Sequence, residues 1–389
     1  MLSACFKKLK QGNSAYSHIK GSLKGPDAKA GHMLRDKTPL PSPTSIRHVK
    51  TLIIGGGISG LSAARWLKKN GHHDFELLEL EEKPGGNSKF GHNPVSSYPL
   101  GAHYINIANN SDKELLEFLE ETNIITHYEN GLPFYNEFAL CFDPEERLLI
   151  NGQWQEGVIP DFGIPEADRE QIKKFLRLTE DLKVRKGQDG KYAFDLPLDK
   201  SSADPAFRSL DTMSFKDYLK KNGFTSKYLL WYLEYCCKDD YGQKPHAISA
   251  WAGLHYFAAR KGLAANAASG TVLTWPEGNG HLMTELASSV KDHIRSSSLT
   301  YSITEDPGGK LFVTVYDLKH EATHRISADK VILASPQYVN HKLLKAFIRE
   351  GVDYTELNYS PWIIANITVK ALPNNKGPGL CWDNVAYGT

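Results

Sequence analysis

Val49-Lys50-Thr51-Leu52-Ile53-Ile54-Gly55-Gly56-Gly57-Ile58-Ser59-Gly60 is the stretch whose reading decides the fold. Its first half is a short β-branched apolar run bounded by glycine, the pattern of a buried parallel strand. After it, Leu61, Ala64 and Leu67 recur at helical spacing up to Asn70-Gly71, a C-cap pair. Strand, glycine turn and helix together are the context in which G-x-G-x-x-G predicts a dinucleotide site. Gly55 permits the tight turn, Gly57 bares the backbone where a pyrophosphate approaches, and Gly60 lets helix and strand pack closely. Gly56, Ile58 and Ser59 complete the turn, whose N–H groups and helix dipole face an anion.

Outward from this turn, Phe75-Glu76-Leu77-Leu78-Glu79-Leu80 predicts the second strand. Glu79 lies roughly twenty residues past the glycines, where an acid accepts from ribose hydroxyls. An acid there also repels a ribose phosphate, which argues against an NADP-type ligand. Pro84-Gly85-Gly86-Asn87-Ser88 and Leu100-Gly101-Ala102-His103-Tyr104 follow closely.

The totals exclude several classes. With 389 residues, 41% hydrophobic and 11% aromatic, the chain can bury a sizeable core, divided between two domains. A net charge of +1 gives no global attraction to nucleic acid or an anionic membrane. No apolar run reaches membrane-spanning length. Cys5, Cys141, Cys236, Cys237 and Cys381 form no C-x-x-C pair and no H-E-x-x-H occurs, so a metal site is not expected. Adjacent Cys236 and Cys237 are expected to be buried small apolar residues rather than a redox pair.

Residues 1–46 are rich in Lys, Ser, Gly and Pro and predict a flexible tail or linker. Leu2-Ser3-Ala4-Cys5 has the pattern of a lipoprotein box, but only Met1 precedes it. As written the chain is expected in the cytoplasm. If translation starts upstream, export to the periplasm and a lipid anchor at Cys5 are expected instead. Ser111 to Thr122 predicts a capped helix, and Ser214–Asn222 and Ser226–Cys237 predict helices that open on serine N-caps. Ser249 to Ala258 predicts an apolar helix with Trp251, His255 and Ala258 on one face. Strands are expected around Leu311–Val315, Lys330–Leu333 and Trp362–Val369, with Asp306-Pro307-Gly308-Gly309 as a turn.

The segments Gly55–Gly60, Glu79, Gly85-Gly86-Asn87-Ser88 and Leu100–Tyr104 resemble, in order, motifs of the flavin-containing amine oxidase superfamily. Trp275-Pro276-Glu277-Gly278-Asn279-Gly280-His281-Leu282 is similar to that family's P-x-G-x-x-x-L turn. Ala328-Asp329-Lys330-Val331-Ile332-Leu333-Ala334-Ser335-Pro336 is similar to its A-D-x-V-I-x-A-x-P strand end. The resemblance implies an α/β fold: a Rossmann-like FAD-binding domain, with a parallel sheet, a βαβ unit and a β-meander, and an inserted α+β substrate domain. The FAD-binding domain would take residues 47–132 and 272–345. The substrate domain would take 133–271, mostly helical, and 346–389, where it would be incomplete, because the family's last flavin motif would fall beyond Thr389.

The resemblance further implies FAD, held by Gly55, Gly56, Gly57, Ile58, Ser59, Gly60, Glu79, Gly86, Asn87, Gly101, Ala102 and His103. It implies hydride transfer from a C–H bond of a small-molecule substrate to the flavin. His103 and Tyr104 would lie beside the flavin ring. Trp251, His255 and Tyr256 are expected along the substrate cavity, with Asp240 or Tyr241 orienting a polar group. The family's lysine is absent from Trp362–Asn366, so amine oxidation and desaturation stand as equal expectations. An NAD-dependent enzyme and a non-catalytic fragment remain the alternatives.

Overall fold

The computed structural model describes residues 18–141, 143, 145–345, 347, 357–371 and 377–388. The chain enters through α1 (Ala28–Asp36), continues into β1 (Ser45–Ile54), turns at the glycines into α2 (Ile58–Lys69) and returns as β2 (Phe75–Leu78). The hairpin β3 (Phe90–His92) and β4 (Ser97–Pro99) precedes β5 (Tyr104–Asn106), α3 (Lys113–Glu121) and the hairpin β6 (Ile125–Glu129) and β7 (Leu132–Tyr135). A second unit follows: β8 (Glu146–Ile150), β9 (Gln153–Glu156), α4 (Glu166–Val184), α5 (Pro205–Arg208), α6 (Phe215–Lys221), α7 (Lys227–Tyr241) and α8 (Ala250–Ala258). The chain then comes back through β10 (Val272–Thr274), α9 (Gly280–Ser289), β11 (Ile294–Arg295), β12 (Ser298–Glu305), β13 (Leu311–Asp317), β14 (Ala322–Leu333) and α10 (Gln337–Leu343). Strand β15 (Asp383–Ala386) rejoins the second unit.

Among the described residues the main sheet runs β11-β2-β1-β14-β13-β12. The first four strands are parallel, and β12 to β14 form an antiparallel meander. Leu52 and Ile53 at the centre of β1 are fully buried on opposite faces, as a parallel strand covered on both sides requires. Helices α2, α3 and α9 cover one face through Leu61, Phe118 and Leu282. The other face holds Leu52, Val313 and Ile326, with Leu34 of α1 and Leu343 of α10 packed on them. This is the α/β architecture that the glycine turn and its flanks predict.

A separate core gathers β8, α4, α6, α7, α8 and Val385 of β15 around Phe175, Phe215, Leu233 and Trp251. Ser214, Ser226 and Ser249 each accept a main-chain N–H at the start of α6, α7 and α8, as expected from their positions. Each such cap stabilises its helix by about 1 kcal/mol. Cys236 and Cys237 are both buried and unbridged.

Two expectations are corrected. Residues 18–46 are not simply a tail, because they hold α1 and the start of β1. Asp27 caps α1 through Ala30 N, Ala30 is buried, and Tyr301 Oη donates to Thr38 O at 2.7 Å. Two or three apolar contacts on one helical face are enough to dock it, and average composition does not register them. Cys5 lies outside the described residues. Trp362–Val369 forms no strand, and Trp362, Ile363, Ile367 and Val369 are exposed. Asn366 Nδ2 reaches Pro99 O of β4 at 2.9 Å, but no main-chain ladder forms among the described residues, so β-branched composition alone does not produce a strand.

Candidate functional site

The dinucleotide turn is built against the ends of β1 and β14. Gly55 sits at φ 107°, and a Cβ on Gly60 would stand 1.8 Å from Gly55 O, so neither position tolerates a side chain. Gly57 differs: a Cβ there meets only Gly86 Cα at 3.9 Å, and it would project into open space. As N-cap of α2, Gly57 offers no side-chain cap, so the helix start keeps donors and a positive dipole end for an anion.

Glu79 is buried beside this turn, accepting from Gly56 N at 2.6 Å and from Glu81 N at 2.8 Å. Burial pushes its carboxyl above the usual range, against the pull of the two main-chain donors. The carboxylate therefore braces the glycine turn. Gly85 N donates to Gly56 O at 2.9 Å and Ala102 N to Asn87 O at 3.0 Å. These bonds stack the turns at 55–60, 85–87 and 101–103 on one another. Gly56, Gly57, Glu79, Gly86, Asn87 and Gly101 thus adjoin one another, although they come from four separate segments.

From the last of these turns, His103 and Tyr104 reach a cavity of about 580 Å³ in which Trp382 also lies. The Trp382 ring is 5.5 Å from His103 and 5.5 Å from Tyr104, edge-on to the tyrosine. Glu145, Glu146, Asp239 and Asp383 are also in the wall. Tyr104 Oη donates to Asp239 at 3.0 Å and Tyr235 Oη to Asp383 at 2.6 Å. Burial first, and then the facing aspartate, push the Tyr104 hydroxyl well above its ordinary pKa, so it remains a donor. Glu146 and Asp383 are register partners in the parallel pair β8·β15. Burial, then Asp383 and Glu145, push the Glu146 carboxyl up to about 7.

Among the described residues the wall has two cations, Lys183 and Arg260, each already matched. Lys183 pairs with Glu180 at 2.7 Å, and Arg260 pairs with Asp240 at 2.6 Å while lying over the Tyr256 ring. The cavity is therefore acidic with aromatic walls.

Several sequence-based assignments move. His255 does not line the cavity: it stacks on Trp251 at 4.8 Å, and its Nε2 lies 3.1 Å from Asp195 O inside the second core. Burial lowers its pKa and keeps it neutral. Trp251 is in that same core. Tyr241 is also displaced from the expected role, its hydroxyl donating to Ala252 O at 2.8 Å. Tyr256 does reach the wall, and so does Asp239 in place of Asp240. Glu145, Glu146, Trp382 and Asp383 carry no local motif. Only the pairing of β8 with β15 brings them together.

A family profile described as an NAD(P)-binding Rossmann-like domain matches residues 53–122. A flavin-containing amine oxidase of Oncorhynchus mykiss is 30% identical over 116 residues, 27% of this chain and 22% of that protein. A putrescine oxidase, solved bound to putrescine, superposes with a TM-score of 0.54 at 18% identity, covering 77% of this chain and 60% of that one. Cyclohexylamine oxidase from Brevibacterium oxydans IH-35A gives 0.51 at 16% identity, covering 76% and 59%. The chain thus spans about three-fifths of these solved structures and under a quarter of the trout enzyme. Over the part it spans, the chain shares the fold of these amine oxidases, and its glycine turn lies in the segment that matches a Rossmann-like domain.

Proposed function

We propose that this chain is the FAD-binding and substrate-binding part of an oxidoreductase that dehydrogenates a small cationic amine. One observation carries the reading: the cavity reached by His103 and Tyr104 has four carboxylates in its wall, while both of its cations are already matched. Aromatic faces beside carboxylates suit an ammonium group, through cation–π attraction and charge.

The residues present fit FAD. The uncapped start of α2 and the open space at Gly57 suit the diphosphate, and Glu79 suits the ribose. Bound FAD supplies the two-electron acceptor for a substrate hydride. The protein orients the substrate and manages its proton. His103 Nδ1 lies 3.3 Å from Gly101 O, and a carbonyl only accepts, so Nδ1 carries the hydrogen. In the neutral ring Nε2 then keeps a lone pair that can accept a hydrogen bond from an arriving ammonium. Asp239, fixed by Tyr104, and Asp383, fixed by Tyr235, hold positive charge nearby.

Anaerobic titration of the FAD-loaded protein tests this. Primary amines and diamines are expected to bleach the yellow flavin, and neutral alcohols of the same shape are not. Bleaching by neutral substrates with none by amines would replace this reading with a desaturation-like one.

The pH dependence follows from Glu146. Its folded pKa, about 7, lies above the ordinary 4.5, so the folded chain holds a proton that the unfolded chain releases. Its contribution to stability is full below the lower value and is lost as pH rises through the upper one. Affinity for a cation moves the other way, rising as the carboxyl ionises. KM for an amine is therefore expected to fall as pH rises through about 7. Glu146→Gln removes that step and makes the protein more stable than wild type at alkaline pH. An unaltered KM profile in Glu146→Gln would show that the carboxyl does not face the substrate.

A further inference from the structure

The turn that opens α9 holds a buried acceptor that no group among the described residues satisfies. Asn279 is only 8% exposed, and its main-chain N donates to Ala102 O at 3.1 Å. Its Nδ2 donates to Tyr104 O at 2.9 Å, and Thr274 Oγ1 donates to His103 O at 2.8 Å. Three successive carbonyls around His103 are thereby held from one side. The amide cannot be reversed, because that would set two oxygens against each other at Tyr104. Oδ1 is then the atom left over, and it is buried without a partner.

Such an atom costs about 1–3 kcal/mol unless a donor reaches it. A Cβ at Gly278 would stand 2.7 Å from His103 Cα, and one at Gly280 would stand 2.4 Å from the Phe90 ring and 2.9 Å from Ser88 O. The turn is thus wedged between the 86–90 and 99–104 segments, which join the dinucleotide turn to the acidic cavity. The unpaired oxygen thus belongs to the residue whose own donors hold Ala102 O and Tyr104 O on either side of His103.

We propose that Asn279 Oδ1 accepts a hydrogen bond from an N–H or hydroxyl group of bound FAD. Asn279 then seats the cofactor with its free oxygen and positions His103 with its donors. The inference rests on the FAD reading above and adds to it a residue from outside the glycine turns.

The test compares FAD-loaded wild type, Asn279→Ala and Asn266→Ala. Asn266 is a control of the same type with both ends used, Nδ2 donating to Tyr135 O at 2.8 Å and Oδ1 accepting from Tyr135 N at 2.9 Å. FAD affinity is measured by fluorescence titration, with the visible spectrum of the bound flavin and the melting temperature of the FAD-free chain. Asn279→Ala is expected to weaken FAD about tenfold and to move the flavin bands. Asn266→Ala is expected to lower the melting temperature while keeping FAD affinity within about twofold of wild type and the bands in place. If Asn279→Ala does not fold, Asn279→Ser, which keeps the main-chain bond to Ala102, is read in the same way. Wild-type affinity and spectrum in the Asn279 variant, or equal losses in both variants, assign the oxygen to an ordered water and overturn the inference. A wild-type chain that takes up no FAD overturns the FAD reading itself, before any variant is compared.

Discussion

Gly57→Asp abolishes FAD uptake and leaves the melting temperature of the FAD-free chain where it was. The new Cβ meets only Gly86 Cα, at 3.9 Å, so the fold accommodates the side chain. The carboxylate then occupies the space proposed for the diphosphate and cancels the field of the uncapped helix start. Two like charges at about 4 Å repel by about 4 kcal/mol at the effective dielectric of a protein surface, roughly a thousandfold in affinity. Gly60→Ala gives the opposite pattern. Its Cβ would lie 1.8 Å from Gly55 O, a backbone atom that cannot move aside, so stability and FAD uptake fall together. Thermal melts and FAD titration of the two variants separate ligand space from packing space. Undiminished FAD in Gly57→Asp would refute the placement of the diphosphate and the assignments built on it.

Arg147→Met lowers stability by about 3 kcal/mol and weakens amine binding, with FAD affinity unchanged. Arg147 is 2% exposed, the largest fully buried side chain among the described residues. Its Nε donates to Asn384 Oδ1 at 2.6 Å, its Nη1 donates to Pro378 O at 2.8 Å, and its guanidinium lies 4.1 Å from the centre of the Trp154 ring. Methionine keeps some of the packing but removes the donors, so Pro378 O loses its Arg147 bond, Asn384 Oδ1 is left with Cys381 N at 3.3 Å, and β15 loosens. Trp382 and Asp383 come from that segment, so the cavity wall slackens while the glycine turn, in a different core, does not. Unfolding curves and amine titrations of the variant are the measurements. A melting temperature equal to wild type would mean that the segment is held by other contacts.

How much of this molecule is legible in the sequence depends on the distance over which each feature is determined. The serine caps of α6, α7 and α8 are local, since a side-chain oxygen and an N–H three residues on are neighbours in any chain that turns there. Composition misjudged α1, because a handful of contacts docks a helix whose average character is polar. The Trp362–Val369 stretch has strand-like residues but no described ladder partner, and strand formation needs one. Along α7 and α8 each residue rotates by about 100°, so a shift of one position separates cavity from core. That rotation places Asp239 rather than Asp240 in the wall, and Tyr256 rather than His255.

The sequence by itself determined the dinucleotide turn, the acid at Glu79 and the His103-Tyr104 segment, because short-range geometry dictates where glycine and an acid must stand around a helix start. Only the tertiary structure decided the acidic cavity, the retirement of His255 and Tyr241 into packing roles, and the unpaired oxygen of Asn279. These depend on which distant strands pair and which face of a helix is covered, and both are settled by burial across the whole chain.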